Sequence, residues 1–175
     1  MEQDEPITIG VSSCLLGINV RYDGANKSSK TAIALCKQFN CIPICPEVGI
    51  GLSVPRPPIR LFSHANSTRA VLSEHPMEDV SQKLKQYAQH IAEEHPELCG
   101  YILKSGSPSC GLKDVPTFDC DENPINLSKG IFADKLREEI NGLPTIDEKQ
   151  LDIPEHREKF LKNVAAFHNS KVLNV

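Results

Sequence analysis

Short apolar, β-rich runs alternate with amphipathic helical stretches along this chain, and that alternation constrains its fold more than any other feature. Ile7-Thr8-Ile9-Gly10-Val11 suits a buried parallel strand, and residues 41–44 and 98–104 form two further runs. Between them, residues 28–39 read as a helix with Ala32, Ile33, Leu35, Cys36 and Phe39 on one stripe and Ser28 or Ser29 as a cap. Residues 77–94 read as a second helix, with Val80, Leu84, Tyr87, Ala88 and Ile91 on its apolar side. Helices are also expected over 126–140, with Ser128 as cap and Gly142 as stop, and over 154–167. Small strands are expected at 69–72 and 143–146. Residues 48–63 are rich in proline and glycine, which excludes a helix and suggests a functional loop. Together these elements predict a single three-layer, Rossmann-like α/β domain over residues 1–175, with a short, mainly parallel sheet and a polar tail at 1–6.

The cysteines acquire meaning from that arrangement. Cys14 lies just after the first predicted strand, Cys45 just after the second, and Cys110 in the loop that leaves the third. Sites in parallel α/β sheets form outside the carboxyl ends of the strands, where the loops share one rim. Three cysteines far apart in sequence are therefore expected on one site. Cys36, Cys41 and Cys99 sit on a helix face or at strand starts and are expected to pack as small hydrophobes. A rival arrangement is local, with Cys36, Cys41 and Cys45 in a C-x4-C-x3-C run of the kind zinc knuckles use. Cys120, in the polar stretch Asp119-Cys120-Asp121, has no assigned role.

Composition narrows the partners. Net charge is -4, and Lys27, Lys30, Arg56 and Arg60 form at most a local basic patch, so no grip on DNA or bulk RNA is expected. With six Phe, three Tyr and no Trp, an aromatic platform for single strands is not expected either. No apolar run approaches the ~20 residues of a membrane span. The first residues, MEQDEP, lack the cationic start and apolar stretch of a signal peptide, so a cytoplasmic location is expected. There, cysteines bind metals, catalyse or pack more often than they form disulfides. The six histidines show no ligand spacing. Residues 24–31 match the phosphate-loop pattern G-x4-G-K-[ST] except that Ser29 replaces the second glycine, and no strand leads into them; a capped helix start accounts for the segment.

Several blocks then resemble the bacterial thiouracil desulfidase (TudS) family: Val11-Ser12-Ser13-Cys14-Leu15-Leu16-Gly17, Val20-Arg21-Tyr22-Asp23-Gly24, Cys45-Pro46-Glu47-Val48, Pro55-Arg56-Pro57-Pro58 and Lys104-Ser105-Gly106-Ser107-Pro108-Ser109-Cys110-Gly111. Gly130-Ile131-Phe132-Ala133 and the tail from Leu143-Pro144 fit the same family. The resemblance implies a [4Fe–4S] cluster held by Cys14, Cys45 and Cys110 with one iron left open. It further implies Glu47 as catalytic carboxylate, Ser105 as a second active-site residue, and hydrolytic C–S cleavage of a small thiolated nucleobase to uracil and sulfide. The residue types suit that chemistry: thiolates hold iron–sulfur clusters, soft iron favours sulfur, and a carboxylate can take a proton from water. Arg56, Ser107 and Ser109 are candidate substrate contacts.

Plain alternatives stand beside these roles. Glu47 can cap a turn or pair with Arg56 or Arg60, Ser105 can cap its own loop, and Arg21-Tyr22-Asp23 can be a buried structural ion pair and corner or can help shape the pocket. Rival functions are desulfuration of thiolated tRNA bases, a non-enzymatic iron–sulfur sensor or sulfur carrier, and a zinc-stabilised binding module.

Overall fold

The computed structural model describes residues 6–65 and 67–173. The chain enters with strand β1 (Thr8–Ser12), buried throughout, and passes through a tight 3-10 turn (Ser13–Leu16) that Gly17 ends at a φ of 82°. Helix α1 (Lys30–Leu35) is shorter than the 28–39 stripe predicted: Ser29 caps it, its hydroxyl accepting the Ala32 N–H, and Cys36 ends it. Strand β2 (Asn40–Ile44) and the single turn α2 (Pro46–Gly49) follow. Strands β3 (Ile59–His64), β4 (Ser67–Leu72) and β5 (His75–Asp79) lead to helix α3 (Ser81–Glu94) and strand β6 (Leu98–Leu103). Beyond them lie β7 (Val115–Phe118), β8 (Pro124–Ser128), α4 (Ile131–Glu139), β9 (Thr145–Asp147), α5 (Glu148–Leu151) and α6 (Pro154–Val172).

The expected parallel sheet is present, in the order β2-β1-β6-β9 with every pair parallel. One face buries Ile9, Val11 and Ile102 against Ala32 and Leu35 of α1 and Phe160 and Val164 of α6. The other buries Tyr101 and Leu103 against Leu84 and Ala88 of α3 and Phe132 and Leu136 of α4. These are the three layers. Gly10 is needed in β1 because a Cβ there would sit 2.6 Å from the Tyr101 ring.

A second sheet, β5-β4-β3-β7-β8, was not anticipated. Three sequence readings are corrected by it. Residues 48–63 are not one loop, since Val48 and Gly49 complete α2 and Ile59 opens β3, whose Ile59 and Leu61 are buried. The helix expected from Met77 begins at Ser81, because residues 75–79 pair as a strand beside β4. The helix expected from Asn126 begins at Ile131, and Ser128 ends β8 rather than capping anything. The polar-tail expectation falls, apart from Pro6, outside the described residues.

The cysteine expectations also need correcting. Cys36 and Cys41 form a disulfide, their Cα atoms 5.4 Å apart across the corner between α1 and β2. That short corner brings together two thiols read as independent packing residues, and it removes both from the local C-x4-C-x3-C ligand set. Cys99 is buried as expected. No described helix is long and apolar enough to cross a membrane.

Helix α4 shows how the fold holds the third cysteine loop. It has no side-chain N-cap; its first amides instead donate to the loop before it, Gly130 N to Gly111 O (2.7 Å), Ile131 N to Pro108 O (3.0 Å) and Ala133 N to Ser109 O (3.0 Å). The orphan donors of a helix start thus fix residues 108–111. A Cβ on Gly130 would lie 2.5 Å from the carbonyl of Ser109 and 2.7 Å from the Cys110 nitrogen. Gly130→Ala should therefore cost about 1–3 kcal/mol, the usual range for overpacking against an unyielding neighbour. Urea unfolding reads this directly, and an unchanged midpoint would show that the loop yields.

Candidate active site

The strands of the parallel sheet end in register. Ser12 pairs with Ile44, Val11 with Ile102, and Leu103 with Asp147, so the four carboxyl ends share one rim. The residues just past that rim are Ser13 and Cys14, Cys45, Lys104 and Ser105, and Glu148. A cavity of about 350 Å³ opens there, lined by Cys14, Cys45 and Cys110 together with Glu47, Arg56 and Ser105. Its size falls in the range of small-molecule sites.

Each thiol is placed by backbone rather than by chance. Cys14 sits in the 3-10 turn, where its carbonyl accepts the amides of Gly17 (3.4 Å) and Lys27 (3.0 Å). Cys45 precedes Pro46 at the head of α2, and its carbonyl accepts the Gly49 amide (2.8 Å). Cys110 is held from two sides, by α4 as described and by the Ser107 hydroxyl, which accepts the Cys110 amide (3.0 Å). All three thiols are free.

Their electrostatics are unfavourable without a cation. Burial pushes the Cys14 thiol up to about 11; Cys45 adds to the rise, while Lys104 and Arg21 oppose it. Burial likewise raises Cys45, despite amide donors from α2, with Glu47 adding to the rise. Cys110 is raised furthest, by burial and then by Cys45 and Cys14, with the Ser12 hydroxyl opposing. Since the thiolate is the nucleophile, iodoacetamide should modify Cys14 in the cluster-free protein slowly at neutral pH and faster as pH approaches its raised pKa. Exposed Cys120 should be modified first. Peptide mass mapping over a pH series tests this, and equal rates at neutral pH would contradict it.

Glu47 is the carboxylate of the site. Its Oε2 accepts Arg56 Nε (2.8 Å) and lies 2.7 Å from Nη2 in an ion pair, and its Oε1 accepts the Ser109 hydroxyl (2.8 Å). Arg56 is 8% exposed and also donates to the carbonyls of Ser53 (3.1 Å) and Val20 (2.8 Å), so it is a buried strut for Glu47. Of the sequence candidates, Arg56 and Ser109 therefore turn toward Glu47, and Ser107 toward the backbone of Ser109 and Cys110. Ser105 donates its hydroxyl to Glu148 Oε1 (2.7 Å). Arg21 and Asp23 form a pair at 3.4 Å in which Arg21 is 20% and Asp23 42% exposed, so it is only half-buried, and Arg21 and Tyr22 line the cavity. The Asp23 side chain instead serves a surface turn, accepting the Ala25 amide.

Glu148 escaped the sequence reading. The signal was the same positional rule that found the cysteines: it is the first residue after β9, but that strand is only three residues long and carries no motif.

The donor set suits a sulfur-bridged metal group. Among the described residues, no three Cys, His, Asp or Glu side chains are placed to hold one bare metal ion. The three thiols nevertheless line one cavity and act on one another electrostatically, which fits a group larger than a single ion. Binding iron would also deprotonate the thiols and offset the cost of their burial. The Tyr101 hydroxyl, fully buried and without a hydrogen-bond partner among the described residues, lies within electrostatic reach of all three sulfurs.

Comparison with known proteins follows the same line. The sequence model of the 2-thiouracil desulfurase family matches residues 9–148, which include every strand end of the rim. The chain belongs to the 2-thiouracil desulfurase family. A solved structure titled as the [4Fe-4S]-dependent thiouracil desulfidase TudS superposes with a TM-score of 0.67 at 29% identity, covering 87% of this chain and 96% of its own. YbbK, an uncharacterised protein of Bacillus subtilis (strain 168), is 33% identical over 113 residues, 58% of this chain and 71% of its own. The α/β fold with its mainly parallel sheet is thus that of a desulfurase-family protein.

Proposed function

We propose that this protein, acting as one domain over its 175 residues, hydrolyses thiolated pyrimidines of the 2-thiouracil type to uracil and sulfide. The observation that carries this reading is the meeting of Cys14, Cys45 and Cys110, Glu47 and Ser105 on one cavity in a desulfurase-family chain. When held by Cys14, Cys45 and Cys110, a [4Fe–4S] cluster with one iron free of protein ligands supplies a soft Lewis acid that prefers thiocarbonyl sulfur to oxygen.

The chain supplies the rest. Arg56 pairs with Glu47 Oε2, and Ser109 fills one lone-pair position on Oε1, leaving the other to accept a proton from water. Arg56 and Ser109 keep that oxygen still, so the carboxylate needs no reorganisation as the proton arrives. Water contributes its oxygen to the ring carbon, the C–S bond breaks, and sulfur leaves as hydrogen sulfide; no electrons are exchanged. Lys104 and Arg21 beside the cavity oppose the rise in the Cys14 thiol pKa and would balance a cluster's negative charge.

The test is product identity. Cluster-loaded protein mixed anaerobically with 2-thiouracil should yield uracil and sulfide in equal amounts. Thiouracil recovered intact from protein with full iron content would overturn the reading.

A further inference from the structure

Lys104 and Ser105 on the cavity wall form a closed hydrogen-bond network with Glu148 behind them, and counting its protons shows what it offers a ligand. A serine hydroxyl has one proton and two lone pairs, and an ammonium has three protons and no acceptor. The Ser105 proton goes to Glu148 Oε1 (2.7 Å), and one of its lone pairs receives Lys104 Nζ (3.1 Å). The other Lys104 protons go to the Ser105 carbonyl (2.8 Å) and to Glu148 Oε1. Glu148 Oε2 accepts the Ser105 amide (2.7 Å), which fixes the backbone just before Gly106 turns at a φ of 67°. What remains for the cavity is one lone pair on Ser105 Oγ. Glu47 across the site also has only a lone pair to offer.

We propose that Glu148 is a positioning residue that locks Ser105 as a hydrogen-bond acceptor, so that the site selects thiolated bases with a ring N–H beside the thiocarbonyl. The inference rests on the desulfidase reading and adds the basis of its selectivity. A ring nitrogen without a proton would set lone pair against lone pair in a buried site, and an N-methyl group would strike Oγ. Although burial favours the protonated form of Glu148, Lys104 and the two Ser105 donors outweigh it and hold the carboxyl below its usual value. It therefore stays an acceptor and does not return a proton to Ser105.

The test uses cluster-loaded protein, with 2-thiouracil and its two N-methyl derivatives as probes. In the wild type, at least one methyl derivative should fall about tenfold or more in kcat/KM, the scale of one lost hydrogen bond in a buried site. Ser105→Ala should collapse that ratio to within about threefold, because the methyl then meets a methyl. Glu148→Gln frees Ser105 to turn its proton inward. It should raise KM for 2-thiouracil roughly tenfold, with a smaller change in kcat and with iron content and Tm retained. Made on top of Ser105→Ala, it should add less than about twofold. Equal effects of Glu148→Gln with and without the Ser105 hydroxyl would reduce Glu148 to a packing role and overturn the proposal. Turnover of both methyl derivatives at the parent's rate would overturn it too. If Glu148→Gln fails to load iron, Ser105→Ala decides alone, an unchanged ratio overturning the proposal. A wild type inactive on all three probes overturns the desulfidase reading and this inference with it.

Discussion

Serine at position 14, 45 or 110 should abolish loading of the proposed iron–sulfur cluster, each substitution alone reducing bound iron to background after anaerobic reconstitution. The size of the effect follows from the site. Each thiol comes from a different loop on the rim of the parallel sheet, so neither of the other two can stand in for it. A serine hydroxyl is a hard, weakly acidic ligand where a soft thiolate is wanted. The remaining cysteines provide the contrast. Cys99→Ser should retain iron and lose stability, since Cys99 is 1% exposed and packs beneath α6. Cys120→Ser should change neither quantity, as Cys120 is exposed beyond β7. Cys36→Ser should open the disulfide to Cys41 and keep the cluster. Iron loss in Cys36→Ser equal to that in Cys45→Ser would revive the local cysteine motif and refute the convergence of three loops.

Glu47→Gln should leave the cluster in place and lower kcat by ~10²–10⁴, the usual worth of a positioned general base. Glutamine keeps the carbonyl that Arg56 can reach but removes the oxygen that takes the proton. The substitution also leaves the Arg56 guanidinium, 3% exposed, beside a neutral partner, so a lower Tm is expected. Iron content and kcat measured on the same sample separate the two consequences. A variant that turns over 2-thiouracil at the wild-type rate would remove Glu47 from the chemistry and leave it as the counter-ion of Arg56.

The rim was legible because its signal is local. Apolar runs ending in Cys14 and Cys45 and at Lys104 announce buried strands, and the rule that loops at carboxyl ends share one edge does the rest. The second sheet was not legible for a physical reason. Strand β8 lies at its edge with residues 124–127 exposed, so its short alternation Ile125-Asn126-Leu127-Ser128 buries no face and is absorbed into the helix expected over 126–140. Residues 75–79 are short and polar, and the period of α3 could be extended back through them without contradiction. At the site, Glu47 is visible two residues after Cys45, yet its pairing with Arg56, nine residues on within the proline-rich segment, is written in no spacing. Both readings of Glu47 meet in the structure: it pairs with Arg56 and still lines the cavity. The Cys36–Cys41 disulfide, closed over a separation of five residues, runs against the expectation that cysteines of a reducing compartment stay unpaired.

The central claim is that the thiols of Cys14, Cys45 and Cys110 on one sheet edge hold an iron–sulfur cluster. Anaerobic reconstitution with iron and sulfide in the presence of competing zinc tests it most directly, because the open iron we propose would be vulnerable to oxygen. The account predicts a brown protein with iron and acid-labile sulfide in equal amounts and little zinc, and no such loading in Cys45→Ser. A colourless protein that takes up zinc alone would contradict it.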